Sequence, residues 1–450
     1  MKNRIFAACM FILLTISASC AFSQSIKEFS LRRSKVFEQM APKSVMIFRT
    51  PQSSGMFDYS RRGGYFYYLT GIDEPGCTLI LFSKDFKSPT RFSAQAPAVL
   101  FINSINADRI SWDAQTLGVE GAKAKYGFED VRPADEAMEY IGKLLVQNFS
   151  LLYMDVQKSN SIYASLSDDE QILRKAKDHG ANFEIQSPAG ILRPFLAVKS
   201  PEEIDLVRKS VSITAEAQKE VMRSLKSGMY EYQVDAIIRF VFSIYGSQSV
   251  SFPSIVGSGE NAVVLHWMEN SRKMEDGDIV VVDCGTEKDM YCADISRTYP
   301  VSGKFTKRQK EIYEIVLAAN EAAINKIGPG VRMSVVSDAA DSVLANGMLR
   351  IGLIKDKADF KRYYYHSLSH HIGLKGAFGN SAGDILLPGM IITIEPGIYV
   401  KEERIGVRIE DDVLVTETGF DILSKDAPKK VIEVENGMKE EGMKVTTKVF

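Results

Sequence analysis

Two aspartates interrupt apolar stretches that otherwise read as a pair of buried β-strands. That conflict restricts the fold more than any other feature of this chain. The stretches are Val281-Val282-Asp283-Cys284-Gly285 and Ala293-Asp294-Ile295-Ser296-Arg297-Thr298, with a short turn at about 286–290 between them. In a regular antiparallel hairpin, directly opposed residues keep a constant index sum and point to the same face. A register that sets Asp283 opposite Asp294 puts Cys292 on their face and turns Cys284 away, so no disulfide joins these cysteines. Ile279 and Val281 share the face of Asp283, which argues against a fully solvated polar hairpin. Two acids opposed on a buried face repel unless they are protonated or bridged by a cation.

More donors of the same kind follow. Tyr365-His366-Ser367-Leu368-Ser369-His370-His371 holds three of the five histidines in the chain. A spacing of four sets His366 and His370 on one face of a strand or of a helix alike. His266, in Leu265-His266-Trp267, stands alone and by itself reads as a core imidazole. Ile391-Ile392-Thr393-Ile394-Glu395-Pro396 leaves a carboxylate at the end of an apolar strand, since a residue before proline is held extended. Along Val407-Arg408-Ile409-Glu410-Asp411-Asp412-Val413, alternation gathers Arg408, Glu410 and Asp412 on one face. Any one of these acids could be a surface charge or half of a salt bridge; the set reads differently. Asp283, Asp294, Glu395 and Glu410 bring four negative charges into buried strands, with His370 neutral beside them. Two divalent cations cancel that charge, and one alone leaves much of it uncompensated. A ligand set of oxygen and nitrogen without thiolate suits Mn²⁺, Co²⁺, Fe²⁺ or Zn²⁺, with Mn²⁺ preferred. Two cations sharing carboxylates would hold a hydroxide ready to attack a carbonyl.

The chain around these residues divides in two. At 450 residues it is too long for one ordinary core, and residues 24–192 and 193–435 read as separate domains. In the first, short apolar runs at 45–48, 77–82, 98–102 and 151–154 alternate with helical stretches such as 134–145, an α/β pattern. The aromatic segment 63–71 reads as a strand packing into that core. Ser200-Pro201-Glu202-Glu203 opens a helix with a capping box. Further helices are expected at 230–245, ended by Gly246, and from Thr306 to about 326, stopped by Gly328-Pro329-Gly330. Strands at 279–284, 291–298, 391–395 and 407–415 make the second domain α+β. A charged tail, 436–450, is expected to fray. A net charge of −2 gives no field that favours nucleic acid, and five cysteines are too few for a disulfide scaffold. Lys2 and Arg4, the apolar run 6–16 and Ala21-Phe22-Ser23 read as a signal peptide, residues 1–23, so export to a periplasm or outside the cell is expected. Acylation of Cys20 as a lipoprotein is the weaker reading, because Ser17 stands where the usual Leu belongs. No later apolar run is long enough for a transmembrane span.

At these residues the sequence resembles the aminopeptidase P/prolidase family of dinuclear metallopeptidases, over nearly the whole chain after the signal. Tyr59-Ser60-Arg61-Arg62 and Phe66-Tyr67-Tyr68-Leu69-Thr70-Gly71 carry the likeness in the first domain. Ile255-Val256-Gly257-Ser258-Gly259-Glu260-Asn261, Leu265-His266, Asp283-Cys284-Gly285, Asp294-Ile295-Ser296-Arg297-Thr298, His366-Ser367-Leu368-Ser369-His370, Glu395-Pro396-Gly397 and Arg408-Ile409-Glu410-Asp411-Asp412 carry it in the second. The resemblance implies an α+β pita-bread catalytic domain preceded by an α/β creatinase/aminopeptidase-P-like domain. It further implies that Asp294 and Glu410 bridge two metals, that Asp283 binds one, and that His370 and Glu395 bind the other. Glu395 would also be the base, His266 and His366 would flank a peptide with proline at its second position, and Arg408 would support the carboxylates. Self-association is common in the family, with no number fixed here. Ser369 in the histidine motif leans toward aminopeptidase P.

One position departs from the pattern. The family usually carries a substrate-contacting His a few residues after the metal-binding His, and Ala377 stands there, with Asn380 a nearby polar residue. Loss of a polarising donor costs on the order of 10²–10³ in rate at comparable sites. An Xaa-Pro aminopeptidase is the leading expectation. A prolidase confined to dipeptides is one alternative, and a catalytically weak, metal-binding peptide binder is another, resting on Ala377. A metal-free hydrolase on the same fold is opposed by the complete ligand set.

Overall fold

A computed structural model of the protein describes residues 26–51, 64–86, 97–105, 117–156, 165–247, 249–375 and 384–445. The expected signal with Cys20, the segment 59–62, Ala377 and Asn380 lie outside the described residues. In the first half, β1 (Ser44–Arg49), β2 (Thr78–Phe82), β3 (Ala98–Ile102), β4 (Asp130–Pro133), β5 (Leu151–Tyr153) and β6 (Glu184–Gln186) form one mixed sheet, ordered β4-β3-β2-β1-β5-β6. Its three central strands are almost wholly buried, which explains why they read as continuous apolar runs. Alternate residues feed opposite layers. Val45, Ile47 and Ile80 meet α4 (Ala137–Leu145) and α5 (Asp168–Asp178). Met46, Phe48 and Leu79 meet α1 (Ile26–Gln39), α2 (Gly64–Thr70) and α3 (Gly118–Tyr126).

The aromatic segment is helix α2, not the expected strand. Phe66, Leu69 and Thr70 are buried at spacings of three and four, a helical stripe hidden by the density of rings between them. Gly64 and Gly71 take φ of 66° and 73° at either end, a conformation that closes the element on both sides.

Helix α6 (Ala189–Ala197) leads into the second half, where α7 (Pro201–Ser224) starts on the expected capping box. Ser200 Oγ accepts from the Glu203 N–H at 3.4 Å, and Glu203 Oε2 accepts from the Ser200 N–H at 3.0 Å. Helix α8 (Glu231–Ile244) ends before Gly246, α9 (Lys307–Ile324) starts on the Thr306–Gln309 box, and α10 (Met333–Arg350) and α11 (Val431–Gly437) follow. Between the helices run β7 (Ser249–Val250), β8 (Ile255–Ser258), β9 (Ile279–Cys284), β10 (Thr286–Lys288), β11 (Tyr291–Cys292) and β12 (Ile295–Pro300). After α10 come β13 (Ile391–Ile394), β14 (Gly397–Val400), β15 (Ile405–Arg408), β16 (Asp411–Val415) and β17 (Phe420–Ile422). All the pairings in this half are antiparallel, in short sheets such as β12-β9-β8 and β13-β16-β17. Helices α7 to α10 cover them with one core that includes Val221, Val234, Ile312 and Leu344.

The halves share apolar contacts. Tyr291, Ile372, Ile391 and Leu414 belong to the same buried cluster as Val36, Phe66 and Leu192. Across that junction Glu203 accepts from the Tyr291 hydroxyl at 2.9 Å and pairs with Arg32 at 3.3 Å. As far as residue 445 the tail lies on α7, where the Met443 N–H donates to Glu220 and Ser224. Cys77, Cys284 and Cys292 are buried and unbridged. No helix among the described residues is long and apolar enough to cross a membrane.

Candidate metal centre

The hairpin that carries the two aspartates is shifted by two residues from the expected register. Asp283 pairs with Ser296, and the strands continue past Gly285 into β10 and β11 before closing at Asp289-Met290. Both turn residues have positive φ, 51° and 72°, so two residues close the hairpin where five were expected. A Cβ on Gly285 would lie 1.8 Å from the Ala293 carbonyl oxygen, so only glycine lets the strands pass there. Because the side-chain period is two, a shift of two preserves the face, and Asp283 and Asp294 remain neighbours on the diagonal.

Leu368 to Ile372 runs extended beside β13, not helical. The Glu395 N–H donates to the Leu368 carbonyl at 2.9 Å, the Thr393 N–H to the His370 carbonyl at 2.9 Å, and the His370 N–H to Thr393 Oγ1 at 3.0 Å. This lattice brings His370 Nε2 to 3.4 Å from Asp294 and 3.6 Å from Glu395. His370 Nδ1 faces the His371 carbonyl at 3.2 Å, which places its proton there and turns the Nε2 lone pair to the acids. The expected strand 407–415 is broken into β15 and β16, with Glu410 at the junction. Ligand atoms of Asp294, His370 and Glu410 all lie within 4.8 Å of one another. This is the one such cluster among the described residues.

Arg408 ties the acids together. Its guanidinium donates to Asp283 at 2.7 Å, to Ser296 Oγ at 2.8 Å and to the Tyr399 hydroxyl at 3.3 Å, and Ser296 Oγ donates onward to Glu410 at 2.8 Å. Even so, Asp283 Oδ1, Asp294 Oδ1 and Asp412 Oδ1 are buried with no hydrogen-bond partner among the described residues. Burial, then the neighbouring Glu410, pushes Asp294 well above the usual carboxylate range, and the same causes raise Glu395. Burial and Asp283 push Glu410 up to about 8. Burial lowers His370 and brings His366 down to about 4, so both rings are neutral. Orphaned carboxylate oxygens, acids that keep their protons, and a neutral imidazole aimed at them form a donor set that fits divalent cations.

A cavity of about 450 Å³ opens on this cluster. Asp283, Asp294, His370, Glu395, Arg408 and Glu410 line it, together with His266, His366 and an apolar set of Phe252, Ile255, Leu265 and Met268. The structure therefore gathers all the described residues of the expected site around one space. The His366 ring is held by the Ser367 carbonyl at Nδ1 and the Tyr399 hydroxyl at Nε2, each at 2.9 Å. Ser296 and Tyr399 are absent from the expected set. Ser296 was readable, two residues from Asp294 on the same face; Tyr399 reaches in from a different sheet and leaves no local signal.

A second polar group lies behind the strands. Asp411, fully buried, accepts from Arg297 at 2.8 Å, Ser424 at 2.7 Å and Lys429 at 2.6 Å. Lys429 also donates to Asn320, whose amide reaches the Ile394 carbonyl at 2.9 Å, while Arg297 reaches the Ser296 and Glu410 carbonyls. Burial opposes the charge on Asp411, but Arg297 and Lys429 outweigh it and hold that carboxyl below the usual range.

The sequence pattern of metallopeptidase family M24 matches residues 205–417, and that of the aminopeptidase P N-terminal domain matches residues 29–153. The chain is 33% identical over 440 residues to the Xaa-Pro aminopeptidase of Escherichia coli (strain K12), covering 91% of this chain and 97% of that protein. The Xaa-Pro aminopeptidase of Haemophilus influenzae is also 33% identical, over 436 residues, covering 92% and 97%. A solved structure of a histidine-to-alanine variant of Escherichia coli aminopeptidase P superposes with a TM-score of 0.81 at 32% identity, covering 92% of this chain and 98% of that one. An α/β domain followed by an α+β pita-bread domain is the architecture these matches share with the present fold.

Proposed function

The chain belongs to metallopeptidase family M24, in its aminopeptidase P group, and from that premise we propose that it removes the N-terminal residue from peptides with proline at the second position. The observation that carries this reading is the cavity lined by Asp294, His370 and Glu410 with ligand atoms within 4.8 Å of one another, beside Asp283 and Glu395. These five residues would hold two divalent cations, Mn²⁺ by preference and Co²⁺, Fe²⁺ or Zn²⁺ as substitutes, with Asp294 and Glu410 shared between them. When bound, the cations supply Lewis-acid activation of water and of the scissile carbonyl.

The remaining roles fall to side chains. Glu395, which gives up its proton when cations occupy the site, would accept the proton of the attacking water. Arg408 holds Asp283 directly and Glu410 through Ser296, so the carboxylates keep their places when a peptide enters. His266 and His366 flank the peptide, and the apolar lining takes its non-polar parts. The basic, apolar and small-residue succession of residues 1–23 supports export of the enzyme to a periplasm or the cell exterior.

Hydrolysis of an Xaa-Pro-Pro tripeptide beside the matching Xaa-Pro dipeptide, with added Mn²⁺, tests the proposal. Cleavage of the tripeptide, abolished by a chelator, is the expected result. Cleavage of the dipeptide alone would make the protein a prolidase. No cleavage of either, with two metals bound, would overturn the peptidase assignment in favour of a binding protein.

A further inference from the structure

Glu231, the first residue of α8, is fully buried yet lies outside the cavity, and five donors converge on it. Oε1 accepts from the Ser258 N–H at 2.7 Å, the Ser258 hydroxyl at 2.7 Å and the Asn261 amide at 3.2 Å. Oε2 accepts from the Trp267 indole at 2.9 Å and the Arg272 N–H at 2.9 Å. Every one of those donors belongs to β8 or to the loop that follows it. That loop supplies Leu265, His266 and Met268 to the cavity lining.

The rest of the loop is pinned at its ends. At its start, a Cβ on Gly406 would lie 1.8 Å from the Ala262 carbonyl oxygen, so the turn at Gly259–Val263 is pressed onto β15. At its end, Asn270 accepts from the Val256 N–H and donates to the Ser254 carbonyl, both at 2.9 Å. Between these points Val264 and Met268 are half exposed, and Trp267 is the side chain that anchors the stretch inward. Its neighbours on either side, His266 and Met268, face the substrate space, as does Leu265.

We propose that Glu231 is a positioning residue for peptide hydrolysis, holding the His266 loop against the substrate through Trp267 and Ser258. The inference rests on the function proposed above. A carboxylate is the side chain this role requires, because donors approach both of its oxygens. A glutamine there has one acceptor and would point an NH₂ group at the Ser258–Asn261 pair or at the Trp267–Arg272 pair.

Glu231→Gln tests it, assayed as the metal-loaded full chain on the Xaa-Pro-Pro tripeptide. The expected result is a fall of about tenfold or more in kcat/KM with metal content unchanged. In a His266→Ala background the same change should cost less than about threefold, since both substitutions then act on one group. An equal loss in both backgrounds, or no loss in either, overturns the proposal. A second readout needs no activity. In a Trp112→Phe background, the Trp267 indole proton should exchange slowly with solvent and become fast in Glu231→Gln; unchanged exchange overturns the proposal. If the parent enzyme cleaves neither peptide, the proposed function fails and the indole signal alone decides the role of Glu231. Should Glu231→Gln not fold, Trp267→Phe removes a single donor and must lower kcat/KM at least about threefold; an unaltered rate again overturns it.

Discussion

Asp294, Glu395 and Glu410 lose water on burial and then meet their neighbours' charge. The site is therefore strained toward protons or cations, and a single substitution there acts on binding before it acts on chemistry. Asp294→Asn and Glu410→Gln are expected to lose metal and activity together, read by elemental analysis of the purified chains; full occupancy in both would contradict the shared-ligand assignment. Ala377→His is expected to raise turnover by up to about 10²-fold, restoring a polarising donor. An unchanged rate in a steady-state assay would mean that position does not touch the peptide. The gathering of the acids was legible in the sequence for a physical reason: one acid inside an apolar β-stretch can be a salt bridge, but four such conflicts pointed to one place. Tyr399 was not legible, because a tyrosine in an apolar strand conflicts with nothing.

Strands β12, β13 and β16 are each held from the side away from the cavity. Arg297 grips the Ser296 and Glu410 carbonyls, and Asn320 grips that of Ile394, directly before Glu395. Removing the hub should therefore loosen all three elements. Asp411→Asn leaves the buried Arg297 and the half-buried Lys429 without their counter-charge and is expected to cost about 3–5 kcal/mol in denaturant unfolding. A loss below about 1 kcal/mol would show the network to be dispensable. The sign of its pH dependence follows from the depressed carboxyl: its stabilisation is present above about pH 4 and is lost as pH falls through the folded-state value. Capping boxes at Ser200 and Thr306 were readable because both partners lie within four residues. The hairpin register was not, since it depends on Asp289 and Met290 both taking positive φ, which Asp tolerates but Met does not announce. The ring-rich segment before Gly71 misled for another reason: aromatic density favours strand by propensity, and packing on α1 and the sheet decided for helix.

For the molecule as a whole, cations and protons compete for one set of carboxylates. Without metal, Glu410 keeps its proton up to about pH 8 in the fold but would release it near 4.3 when unfolded, so stability falls as pH rises toward 8. With metal bound the sense reverses, because cations displace those protons. His366 and His371, brought down to about 4 by burial, act oppositely below pH 6.5, so the comparison belongs between pH 7 and 8. Melting temperature should fall across that interval in chelator and rise in Mn²⁺; parallel slopes would contradict the carboxylate assignment. The two-part division of the chain was readable from length and strand–helix alternation, but the apolar seam between the parts was not. That seam has a consequence in time. The first sheet's outer layer is completed by Tyr291, Ile372, Ile391 and Leu414, which leave the ribosome long after the sheet's last strand at residue 186. At typical elongation rates the interval up to Leu414 is roughly 10 to 45 s. Throughout it, the half already made presents an unfinished greasy flank, the kind of surface a chaperone holds until the rest of the chain arrives to cover it.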